Sequence, residues 1–101
     1  MSRCRLTALA AKDLREIGRY TRQTWGLQQA RRYREELDLA LQKLSLMPNA
    51  GRPRPDLAPR LRSFVVASHI VFYVPRRGGI TVVRLLHASM DVERALGRER
   101  D

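Results

Sequence analysis

The chain has 101 residues, with 20 Lys and Arg against 10 Asp and Glu, a formal charge of +10 and a pI near 11.3. That length suits one domain over residues 1–101 and is too short for two. A lone cysteine, Cys4, excludes an intramolecular disulfide, a zinc cluster and a CxxC redox pair, and fits a reducing cytoplasm.

Eighteen of the twenty cations are arginine. A guanidinium is a planar fork that pairs two-fold with carboxylates and phosphates, so the composition anticipates an acidic protein or a nucleic acid as neighbour. The apolar run LTALAA stops at Lys12. It is too short for a signal-peptide core or a membrane span, and a cytoplasmic protein with no membrane attachment is expected.

Residues 3–6 read as a short extended piece in which Cys4 is expected to be a small buried hydrophobe. Thr7 then caps a helix with an apolar stripe of Ala10, Leu14, Ile17, Thr21 and Trp25 at spacings of three and four. Lys12, Asp13, Arg15, Glu16, Arg19 and Arg22 fall between them as a charged outer face. Gly26 closes this helix and opens a second, where Leu27, Ala30, Tyr33, Leu37, Leu41 and Leu44 repeat the period. The segment PNAGRPRPDLAPR is expected to be a stiff connector without regular hydrogen bonding.

Three runs rich in Val, Ile, Phe and Tyr follow: Leu61 to Ala67, Ser68 to Pro75 and Ile80 to His87. The first two meet with almost no loop, and Gly78 and Gly79 supply the positive φ angles of a tight turn between the last two, so an antiparallel meander is predicted. A short helix from Asp91 to Leu96 and a charged tail close the chain. The order β-α-α-β-β-β, a helix hairpin on a mainly antiparallel sheet with a short C-terminal helix, is α+β. Seven arginines against Asp56 alone lie between residues 51 and 84, so the basic character belongs to the sheet and its approach.

The strings DLREI with a following Tyr20, then WG, then GRPRP, LRSF, HIVFY and VRLLHASMD, in this order from Leu6 to Glu93, resemble the ParE toxins of the ParE/RelE superfamily of type II toxin–antitoxin systems. The resemblance implies a toxin that binds and poisons DNA gyrase, in a hetero-oligomer with an acidic ParD-like antitoxin that neutralises it. No cofactor and no metal are expected. RelE-like relatives cleave messenger RNA on the ribosome, which is the alternative function.

Where those relatives carry Lys or Glu as a base, this chain offers Arg60 and Arg62, which hold their protons at neutral pH. His87 is the one alternative catalytic candidate; its structural reading is a ring that hydrogen-bonds the turn before Asp91. His69 reads as a surface or packing residue and Tyr73 as core. Arg84 interrupts the apolar ITVVRLLH, either as a binding residue or as the partner of Asp91 or of a carboxylate on the second helix. The expected contacts to gyrase or to the DNA it holds are Arg62, Arg76, Arg77, Arg84 and His87. Charge reversal at Arg84 is expected to leave the fold intact.

Overall fold

The computed structural model describes residues 3–97. The elements are β1 (Arg3–Leu6), α1 (Ala8–Trp25), α2 (Leu27–Leu46), β2 (Arg52–Pro53), β3 (Arg62–Val66), β4 (His69–Arg76), β5 (Gly79–His87) and α3 (Val92–Gly97). The strands form one five-stranded sheet in the order β1-β5-β4-β3-β2. Only the β1–β5 pairing is parallel. The α+β meander is as expected, while the charged tail, residues 98–101, lies outside the described residues.

Thr7 starts α1 in a double role. Its hydroxyl accepts the N–H of Ala10 at 3.1 Å and donates to the carbonyl of Val83 at 2.8 Å, so the same side chain that caps the helix fastens it to β5. Gly26, at φ 95°, ends α1 with its N–H on the Arg22 carbonyl and also begins α2. The hairpin lays Ala10, Leu14 and Ile17 of α1 and Leu37, Leu41 and Leu44 of α2 on one face of the sheet, over Val71, Tyr73, Ile80 and Val82. Trp25 and Leu27 were expected in that stripe but are 68% and 51% exposed, because they sit at the hairpin tip where the sheet no longer lies beneath them.

The connector is more ordered than its prolines suggested. Arg52 and Pro53 pair with β3 as an edge strand, where the missing proline N–H costs nothing. The following turns fold Leu57 and Leu61 onto the other face of the sheet with Phe72 and Leu86, and Val92, Ala95 and Leu96 of α3 cover the same cluster. The sheet therefore has two cores, and α3 closes the second. Tyr73 is fully buried, and its hydroxyl donates to the Pro48 carbonyl at 2.7 Å while accepting the Gly51 N–H at 2.8 Å. That pair of bonds ties the end of α2 and the connector to the sheet.

Two turns differ from the sequence reading. Arg77 and Gly78 form the β4–β5 loop with only Gly78 at positive φ, whereas Gly79 is a strand residue. Ala67, at φ 50°, supplies the left-handed position of the β3–β4 turn without being glycine. Cys4 is exposed rather than buried. Partial desolvation against α2, and then the Asp38 carboxylate, push its thiol pKa up, which favours the thiol form at neutral pH.

Candidate functional site

The end of the sheet where β4 begins and β5 finishes opens into a cleft of ≈ 310 Å³ between α1 and the β5–α3 turn, lined by Asp13, Glu16, Tyr20, His69, Arg84 and His87 among others. Its shape follows from a mismatch in strand length. β1 stops at Leu6, opposite Val82, so the last five residues of β5 have no strand neighbour on that side. Thr7, the cap of α1, and Asp13 within α1 take over its polar groups: Thr7 N–H donates to Val82 O and Asp13 accepts the Leu85 N–H at 3.0 Å.

Asp13 also accepts Arg84 Nε at 2.7 Å and its terminal nitrogen at 3.0 Å, a two-pronged ion pair at the irregular step where the β4–β5 register shifts. Arg84 thus finds its carboxylate on the first helix, not on the second helix or at Asp91. Asp13 had been assigned to the charged outer face of α1, yet it is 8% exposed. Its position three residues after Ala10 and one before Leu14 places it on the buried stripe, and that spacing was the available signal.

The two histidines meet here. His69 and His87 are paired residues on adjacent strands, and their rings stand edge to face with centroids 5.2 Å apart. Tyr33 of α2 reaches His69 Nδ1 at 2.6 Å and donates its proton to the Val66 carbonyl at 3.1 Å, which assigns the proton of neutral His69 to Nδ1. His87 Nδ1 accepts the N–H of Ser89 at 3.1 Å, placing the proton of its neutral ring on Nε2. His87 thus caps the turn before Asp91, as its structural reading anticipated.

Burial of His69, then the proximity of His87, push its pKa below the usual histidine value, with Asp13 opposing weakly. The unfolded chain therefore holds the proton more tightly. Stability contributed by neutral His69 is full above its unfolded pKa of about 6.5 and declines as pH falls through the lower folded value. Melting of the wild type between pH 7.5 and 5 should show this decline, and His69→Gln should flatten it. An unchanged slope in the variant would assign the acid sensitivity to other groups.

The five arginine and histidine candidates do not form one surface. Arg84 and His87 belong to the cleft, whereas Arg76 and Arg77 sit at the hairpin on the opposite end of β5, about 25 Å away at the rise of an extended strand. Arg62 donates to the carbonyls of Gly51 at 2.6 Å and Asn49 at 3.2 Å, a bracing role for the connector. Phe72 is buried in the second core, and Phe64 packs against the first core under Lys43, so neither presents a ring for stacking on bases. No group of three or more His, Cys, Asp or Glu among the described residues could hold a metal ion. No helix among them is long and apolar enough to cross a membrane.

The family model described as the ParE toxin of the type II toxin–antitoxin system parDE matches residues 4–92. The chain is 40% identical over 96 residues to Toxin ParE1 of Mycobacterium tuberculosis, covering 94% of this chain and 98% of that protein. It is 41% identical over 88 residues to Toxin ParE of Escherichia coli, covering 86% and 85%. The fold resembles a chain of the chromosomal ParDE toxin–antitoxin system from P. aeruginosa at a TM-score of 0.74 and 20% identity, covering 88% of this chain and 98% of that one.

Proposed function

Because this chain belongs to the ParE toxin family of type II toxin–antitoxin systems, we propose that it poisons DNA gyrase in the cytoplasm and is held inactive by an acidic ParD-like antitoxin in a hetero-oligomer. The family match over residues 4–92 carries the reading. A toxin without chemistry of its own acts by binding one state of its target better than another, and each tenfold shift in population needs only about 1.4 kcal/mol of that preference. The cleft supports a binding mode over a catalytic one: Arg84 is clamped by Asp13, and His87 Nδ1 is occupied by the Ser89 N–H. Tyr20 and Met90 on its rim, 62% and 47% exposed, supply the apolar anchors that a protein contact requires.

Adding the purified toxin to gyrase and supercoiled plasmid should trap linear DNA after denaturation of the enzyme, and the antitoxin should abolish the effect. Normal supercoiling at saturating toxin, with no trapped breaks, rules the proposal out. One observation favours a second reading, message cleavage of the RelE type: His69 and His87 stand ring to ring beside Arg84. Message integrity measured on ribosomes with the wild type and His87→Ala separates the two. Intact message in both, with toxicity retained by His87→Ala, is the expected result.

A further inference from the structure

The end of the sheet farthest from the histidine cleft carries a second concentration of charge, assembled from segments far apart in sequence. β1 lies parallel to β5 with Arg3 opposite Gly79 and Arg5 opposite Thr81, and Gly79 on its other side stands opposite Arg76. Arg3, Gly79 and Arg76 therefore form one row across three strands. With strands about 4.8 Å apart, the two arginine backbones are about 10 Å from each other, separated by a residue with no side chain.

Ile80 and Val82 point into the helix-side core, so the alternation of a strand turns Gly79, Thr81 and their partners Arg3, Arg5 and Arg76 toward the opposite face. Arg76 Nε donates to the Thr81 hydroxyl at 3.2 Å on that face. Together with Arg77 from the turn, these arginines wall a groove of ≈ 480 Å³. Among the described residues no carboxylate lines it, and none of the four arginines is in a salt bridge.

We propose that this four-arginine groove binds the phosphate backbone of duplex DNA. An acidic protein is the competing occupant, but a protein contact draws its energy from a desolvated apolar centre. The apolar lining residue here, Ile80, is only 1% exposed, whereas the cleft at the other end has the apolar rim. What the groove offers is charge and hydrogen-bond forks, the chemistry that positions a protein on phosphates without reading bases. Arg3 and Arg5, two residues apart on one face, are spaced by about 7 Å, so the two forks can reach different phosphates of one DNA strand. For its setting, DNA held by gyrase, the inference rests on the function proposed above, but it can be tested without gyrase.

The test is fluorescence anisotropy of a labelled 20-base-pair duplex titrated with the full chain across a series of NaCl concentrations. A groove variant (Arg3→Gln, Arg5→Gln, Arg76→Gln, Arg77→Gln) is compared with a control that removes equal charge from the helix hairpin (Arg15→Gln, Arg19→Gln, Arg22→Gln, Arg31→Gln). Each neutralised phosphate contributes about 0.9 to the slope of log affinity against log salt, so the groove variant should be shallower by about 3 to 4 and the control by less than about 1. Arg-to-Lys replacement of the four groove residues should keep most of the slope. If the groove variant fails to fold, Arg76→Gln with Arg77→Gln, which leaves β1 intact, should remove about half of it. Equal losses in groove and control variants would reduce the effect to net charge and overturn the proposal, as would a poly-glutamate peptide that outcompetes DNA for the groove. DNA binding through the groove combined with no trapped gyrase breaks would defeat the gyrase reading and leave the groove standing.

Discussion

Asp13→Ala should lower the free energy of unfolding by about 3 kcal/mol and the melting temperature by about 15 °C. Three interactions go at once: both prongs to Arg84 and the acceptor for the Leu85 N–H. The Asp13 side chain is 10% exposed and that of Arg84 20%, so water replaces the lost carboxylate poorly, and a buried N–H without an acceptor costs about 1 to 3 kcal/mol by itself. For a domain with about 5 to 15 kcal/mol in total, this is a large share. Urea unfolding of Asp13→Ala, Arg84→Met and the double variant would measure it. The double variant should be more stable than Asp13→Ala, because the guanidinium that needed the carboxylate is gone. Strict additivity of the two single losses would show that the pair is not coupled. The same geometry corrects the expectation that reversing Arg84 spares the fold: Arg84→Glu sets a second carboxylate against Asp13. Removing the chain after Ser89 is no cleaner, since it strips Val92, Ala95 and Leu96 from the second core. Loss of toxicity in either change would report unfolding as readily as a lost contact.

Gly79→Ala should detach β1 from the sheet. A methyl group at Gly79 would overlap the carbonyl oxygen of Arg3 and lie 2.7 Å from its nitrogen, both backbone atoms that cannot swing aside. The lower entropy of the unfolded alanine chain offsets only about 0.4 to 1 kcal/mol, against about 1 to 3 kcal/mol or more for forcing the strands apart. Net destabilisation of about 2 kcal/mol is expected, concentrated in one element. Hydrogen exchange should show the amides of Arg3–Leu6 losing protection while those of the β4–β5 hairpin keep theirs. The DNA salt slope should fall by about 2, as Arg3 and Arg5 leave the groove. Unaltered protection of β1 would mean that the strands can part without cost and that the glycine is incidental.

By itself the sequence determined every element except the edge strand Arg52–Pro53, because the apolar spacing of both helices, the β-branched runs from Leu61 to His87 and the turn residues between them are local signals. The family was legible for a related reason, since its strings lie in order along the chain. His87 was read correctly as a cap for the turn that follows it, its partner Ser89 being only two residues away. Everything that depended on which segments lie side by side was decided by tertiary structure. Asp13 and Arg84 are joined across 71 residues, and the end of β1 at Leu6, which leaves the last five residues of β5 without a strand neighbour on that side, explains why an acid on a helix turns inward. Likewise, Gly79 reads as a turn glycine beside Gly78, but the parallel strand laid against it makes it the gap between Arg3 and Arg76 in one row. Trp25 keeps the helical period and is still exposed, because a periodic stripe is buried only as far as the sheet beneath it extends. Four of the five expected contact residues divided between two ends of the molecule, Arg84 and His87 from Arg76 and Arg77, because an extended strand converts a short interval in sequence into a long distance in space, while Arg62 braces the connector.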